Sequence, residues 1–265
     1  MKMFKKYLSL YIEFVLQNSK TMLEYKTDFV IGIVSTFINQ FYGIFFVWVI
    51  FENIKQIHGW TFYEITFIYG LLTMAKGIDM FFFDNLHCLG FEYVREGSFD
   101  IFMIRPISPL FQLIASYVQQ DGIGLVLLGA IVIAKSLAEL KIALGFFDIV
   151  MLLIFIVSGA AIISAINLIM CTTGFKTVNS HILMSSVNSF QDFALYPVLI
   201  YPKFIGFLLT WIIPYAFASF YPADYFLHKG FELYSVFTPV VAIVLWVIAL
   251  KIWNIGIRNY SSTGS

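Results

Sequence analysis

Charge is scarce in this sequence: Lys, Arg, Asp and Glu together make up 12% of 265 residues, 16 basic against 16 acidic, while 60% are hydrophobic. A water-soluble globule of that length needs far more polar surface, so the chain must be solvated mainly by lipid. The mean hydropathy of +0.86 agrees. With a formal net charge of zero, nothing points to a nucleic-acid partner. Cysteine is nearly absent, and the two present, Cys88 and Cys171, cannot build a disulfide framework. Both fall near span ends on the side read as cytoplasmic, where thiols stay reduced, and are taken as small apolar residues. Also missing are a G-x-x-x-x-G-K-[ST] phosphate loop, a G-x-S-x-G elbow, an H-E-x-x-H pair and a C-x-x-C pair. The usual signatures of nucleotide hydrolysis, acyl transfer and zinc chemistry are therefore lacking, and no cofactor is expected on this chain. The histidines at 58, 87, 181 and 228 fall in separate loops or span ends, share no helical spacing, and are not expected to hold a metal.

What is present is a series of long apolar runs. Lys2, Lys5 and Lys6 before the first apolar stretch resemble the start of a secretory signal, but Glu13, Asn18, Lys20 and Glu24 interrupt it and no small-residue cleavage site follows, so the segment is expected to be retained. Between 4 and 22, Phe4, Leu8, Tyr11, Ile12, Val15 and Met22 recur every three or four positions, opposite Lys2, Lys6, Ser9, Glu13, Lys20 and Glu24. That pattern predicts an amphipathic helix lying in the membrane interface over residues 1–26. Runs of crossing length follow Asp28 as far as Phe51, and then near 61–83, 110–134, 146–171 and 235–256. Between Gly174 and Gly230 two more apolar stretches, 180–200 and 203–222, are separated only by Tyr201 and Pro202. The basic residues choose between six and seven crossings. Six places Lys2, Lys5, Lys6, Lys20, Lys26, Arg95, Arg105, Lys176, Lys251 and Arg258 inside, against Lys55, Lys135, Lys141, Lys203 and Lys229 outside, which is the expected bias. Prolines at 197, 202, 214 and 222 argue against a straight helix through 203–222, so 203–230 is read as a broken, re-entrant element on the outer side. The expectation is a single all-α transmembrane domain with six spans, both termini cytoplasmic, and a disordered Ser-Ser-Thr-Gly-Ser tail.

The most organised non-span segment is 84–109. It reads as two short helices: the first, around Phe91–Glu96, ends at Gly97 in a left-handed cap; Ser98 caps the next, Asp100 complements its dipole, and Arg105-Pro106 stops it. Such a charged knob at the membrane surface can pass a push from a soluble partner into the spans, or it can simply obey the positive-inside rule. Val94-Arg95-Glu96-Gly97-Ser98-Phe99-Asp100, followed by Ile104-Arg105-Pro106-Ile107-Ser108-Pro109, resembles the Arg-x-Gly-x-x-Asp and Arg-Pro-x-x-Pro pattern of type-2 ABC transporter permeases, in particular their small six-span branch. The interfacial helix, six spans and Pro-broken outer segment follow that layout over nearly the whole chain. The resemblance implies an exporter of the bacterial plasma membrane. In it two permeases, identical or sister chains, bind two cytoplasmic ABC ATPase subunits that carry ATP and Mg. Glu92, Arg95, Glu96, Gly97, Asp100, Arg105 and Pro106 then become coupling or packing positions, none of them catalytic.

Polar residues inside the membrane tend to face protein or water. Lys76 and Asp79, three apart on the second span, can neutralise each other as a packing element or handle an ion. Asn188, Gln191, Asp192 and Tyr196 recur at helical spacing and either line a path at a dimer interface or tie helices together. Trp48, Trp60 and Trp211 fit an outer interfacial belt. A mostly apolar, aromatic path suits a hydrophobic or amphipathic substrate such as a drug, a lipid-like molecule or an antimicrobial peptide. Three rival readings remain: an ion-coupled secondary transporter using Lys76, Asp79 or Asp192; a lipid-modifying enzyme with His87 or His181 as base; and an anchor or sensor subunit that binds an ATPase but moves nothing.

Overall fold

A computed structural model describes residues 2–24, 26–177 and 180–261. The expected tail lies outside the described residues except for Ser261, as do the side chains of Lys2, Phe4, Lys5, Lys6, Leu8, Met22, Glu24 and Lys26. Every regular element among the described residues is helical. Helix α1 (Lys2–Glu24) is followed by α2 (Lys26–Asn53). Tyr7 of α1 meets the ring of Phe111 edge-on at 4.8 Å and Tyr11 lies near Phe82, while Ile12 and Leu16 stay exposed.

Among the described residues, five helices are long and apolar enough to cross a membrane, spanning Val30–Asn53, Phe62–Val94, Asp121–Glu139, Phe146–Phe175 and Leu233–Arg258. At the heart of the bundle α3 (Phe62–Phe83) and α6 (Asp121–Glu139) run antiparallel, and each carries two glycines seven residues apart. Gly77 meets Gly122, and Gly70 meets Gly129. A Cβ on Gly77 would come 2.8 Å from the Gly122 carbonyl oxygen, and one on Gly122 2.5 Å from that of Gly77, so the backbones pack where a side chain would hold them apart. Helix α7 (Phe146–Thr172) covers α3 on the other side and packs in turn on α11 (Glu232–Arg258). The starts of α3 and α7 are closed by carboxylates three residues in: Glu64 accepts the Thr61 N–H and Asp148 the Gly145 N–H, both at 2.8 Å.

Two expectations about the spans are corrected. The third does not run over 110–134: α5 (Pro109–Ala115) is a separate short helix, and α6 begins only at Asp121 after a break. Gln119 and Gln120 stand in that break, and the Gln119 amide donates to Asp121 at the start of α6 at 3.0 Å, a polar joint that averaging over a window conceals. The stretch 180–200 is likewise not one helix. After α8 (Ser180–Asn188) the chain tightens into 3₁₀ turns over Ser189–Leu195 and Val198–Ile200, with Pro197 between them.

The stretch from 203 is broken, as its prolines predict. Helix α9 (Lys203–Phe207) and one wider turn (Leu208–Ile212) stop before Pro214, and the chain doubles back through Tyr215–Ala218 into α10 (Phe220–Leu227). The outgoing limb is exposed at Phe204, Phe207 and Trp211; the returning limb, with Tyr215, Phe217 and Phe220, is buried in the main core. A left-handed His228 ends α10, and the fully buried Asp224 accepts the N–H groups of Lys229 at 3.0 Å and Phe231 at 2.6 Å to hold the turn into α11. Trp60 corrects the interfacial-belt expectation. It is 2% exposed, packs on Phe220, and lies under the Lys229 ammonium 5.0 Å from its ring centroid, whereas Trp48 and Trp211 are exposed.

Candidate functional site

At one end of the bundle the chain leaves α3 through a 3₁₀ turn (Asp84–Cys88) and a wider helical turn (Leu89–Val94), reverses at Gly97, and forms α4 (Phe99–Ile104). Gly97 has φ +73°, a left-handed conformation that a side chain would strain. Arg105 is extended, as a residue before proline must be, and ends α4. Ser98 does not cap α4 with its hydroxyl, which instead leans 3.4 Å toward the Tyr93 carbonyl. Phe99 and Phe102 point inward onto a second core with Phe175 and Trp253. Arg95, Glu96, Arg105 and Pro106 lie exposed, Glu92 is half-buried, and between them Ile101, Met103 and Ile104 are 47%, 44% and 82% exposed.

Three residues that sequence reasoning missed hold this knob in place. Buried Gln112 on α5 donates to the carbonyls of Phe102 at 3.0 Å and Ile107 at 2.9 Å. Buried Asn85 donates to the Leu113 carbonyl at 2.6 Å and lies 2.9 Å from the Ser116 hydroxyl, closing the end of α5. Tyr260, just beyond α11, donates to the Asp100 carboxylate at 2.9 Å and packs edge-on against Phe99. Burial and the adjacent Asp100 carboxylate push its phenol up to about 12, so the donor keeps its proton at neutral pH. An Asn and a Gln in apolar surroundings were the available signal, but their partners are carbonyls, which no sequence pattern marks.

Inside the bundle, Lys76 is not paired with Asp79. Its ammonium reaches 3.1 Å to Asp192, while Asp79, 7% exposed, accepts a hydrogen bond from the Asn167 amide on α7 at 2.9 Å. Three residues along a helix turn the face by 60°, and α3 lies between α7 and the 3₁₀ segment, so each neighbour takes one of the two charges. The group on the fifth segment also divides. Asn188 accepts from Gln191 at 3.0 Å and from the Tyr215 hydroxyl at 3.2 Å, facing inward. Asp192, its side chain 71% exposed, faces outward with Lys76. Tyr196 ends the 3₁₀ run in extended backbone and bonds through its N–H to the Phe193 carbonyl, so the four residues share no single helical face. His87 and His181, remote in sequence, meet with ring centroids 6.2 Å apart.

At the opposite end, Lys229 pairs with Glu64 at 2.9 Å and donates to the Gly59 carbonyl at 2.9 Å. No group of three potential metal ligands occurs among the described residues. Comparison with curated proteins and with solved structures returns no match. The family described as ABC-2 family transporter protein matches residues 37–264, from within α2 through the knob and the broken segment to the tail. A multi-pass helical membrane protein carrying this match over most of its length belongs to the ABC-2 transporter family, whose membrane components normally work with an ATPase subunit.

Proposed function

We propose that the chain is the permease of an ATP-driven exporter, acting as a pair of permeases, identical or sister chains, on two cytoplasmic ABC ATPases that carry ATP and Mg. The observation that carries the reading is the knob at 84–109. It is rigidly held by Gln112, Asn85 and Tyr260 yet presents Ile101, Met103 and Ile104 to solvent, ringed by Arg95, Glu96 and Arg105. Ile104, 82% exposed at the tip of a braced helix and ringed by charged residues, has the form of an apolar anchor for a socket on a partner. Glu92, Gly97, Asp100 and Pro106 serve that knob as packing and shape.

Six crossings with both termini cytoplasmic in a bacterial plasma membrane is the topology we infer. It is supported by Phe175 lying against Phe99 at the knob end while Lys229 binds Glu64 at the other, an arrangement that fits one traverse of the bundle by 180–228. In this topology α1 lies in the interface and 203–230 is the outer re-entrant element. The path for a hydrophobic or amphipathic substrate runs along the face of Lys76 and Asp192, because a carboxylate so exposed at membrane depth requires a second permease or water beside it. Asn188, Gln191 and Tyr196 flank it. The test is co-purification from native membranes with Ile104→Asp alongside. A stoichiometric P-loop ATPase with the native chain, lost with the variant while the monomer stays folded, is expected; the native chain without an ATPase would overturn the reading.

A further inference from the structure

On an exposed side of the bundle, a cavity of about 490 Å³ opens between α2, α3 and α6 near the end opposite the knob. That volume lies within the roughly 300–1,000 Å³ of small-molecule sites. Its walls are Phe41, Phe45, Trp48, Phe62, Ile131 and Val132. Three hydroxyl side chains line it, Tyr63, Thr66 and Ser136, and those of Thr66 and Ser136 bond each other at 2.9 Å, so that pair makes no demand for water. The gap is built in: α2 is fastened to α3 lower down, where the Tyr69 hydroxyl bonds Gln40 and abuts Gly43, and touches it again at the top where Phe51 meets Phe62, leaving a window between. Lys135 stands at the rim, one turn before α6 ends, exposed and with no carboxylate in salt-bridge range among the described residues.

We infer that this cavity binds one acyl chain of a membrane glycerophospholipid, with its phosphate on Lys135. A dry apolar slot on a surface facing hydrocarbon is matched by an alkyl chain, and Lys135, long enough to extend from one turn inside the helix end toward the headgroups, supplies the only charge on its lining. An anionic headgroup is selected over a zwitterionic one, because an unpaired ammonium near the membrane surface favours each added negative charge. The site is separate from the Lys76 and Asp192 face, so it stands whether or not that face is a transport path.

The experiment is native mass spectrometry of the full chain released from nanodiscs of equal parts phosphatidylglycerol and phosphatidylcholine. One retained lipid per chain, enriched in phosphatidylglycerol, is expected. Lys135→Gln should cut that enrichment about fivefold while lipid is still retained. Ile131→Trp, at a position 61% exposed and so tolerated by the fold, should expel the lipid by filling the slot. Equal retention of both lipids by the native chain, or retention untouched by both variants, would overturn the site. So would Phe45→Cys cross-linking between two chains, which would put a second copy in the slot.

Discussion

Helices α2 and α3 are both apolar enough to cross a membrane, yet only 6% of the most apolar part of α2 is buried against 67% for α3. Hydropathy treats them alike because lipid and protein interior are equally apolar; what separates them is the small-residue spacing that lets a neighbour come close. Gly70 and Gly77 bring α6 within backbone contact of α3, whereas α2 turns Val30, Ile31, Val34, Ile38 and Phe46 outward. The helix that fastens to its neighbours at only a few points, such as Gln40 and Gly43, is left for lipid or another chain, and the one with paired gaps becomes the centre.

The strongest way to break this contrast is Gly77→Leu, which drives a side chain into the Gly122 carbonyl; a loss of roughly 3 kcal/mol or more is expected, seen as collapse of the monodisperse peak and of thermal stability in detergent. Val34→Ala on α2, at a position 50% exposed, should change stability by less than about 0.5 kcal/mol, and an equal effect of the two would end the comparison. Next in size, Lys76→Met strips Asp192 of its counter-charge at membrane depth and should cost about 2 kcal/mol, most of it restored by adding Asp192→Asn. No recovery in the double variant would mean that the pair is not the coupled unit. Gln112→Leu leaves the Phe102 and Ile107 carbonyls without their donor and should cost about 1.5 kcal/mol, with faster proteolysis at 98–108 as the local readout. Smallest, Tyr260→Phe should cost about 1 kcal/mol. Because folding raises this phenol above its ordinary value near 10, its contribution is complete below pH 10 and fades as pH rises through about 12; a native chain whose knob loosens well below pH 10 would contradict the assignment.

Much of the architecture could be read from residues alone. The apolar runs, the left-handed Gly97, the stop at Arg105-Pro106 and the Pro-broken segment after Lys203 each follow from local chemistry, and each is local in the structure. What escaped depends on partners distant in the chain. Nothing near Lys76 distinguishes Asp79 from Asp192, because the choice is made by which elements flank α3. Trp60 looked interfacial because its neighbours are loop residues, and it is buried only because 220–231 folds over it. The glycine pairs were not singled out at all, since a spacing of seven on two runs does not name the helix it receives. The break before Asp121 was lost for another reason: a few polar residues vanish inside a long apolar average.

Lys229 closes over Trp60 while also gripping Glu64 and Gly59, and this gives the molecule an optical use. An indole under a fixed ammonium emits differently from one released to solvent, and the chain has only four other tryptophans, at 48, 211, 246 and 253. With those four replaced by Phe, Trp60 becomes an intrinsic fluorophore seated in the clasp between the 54–61 loop and the start of α11. Any movement that opens this end of the bundle would then be recorded in its emission, without a label.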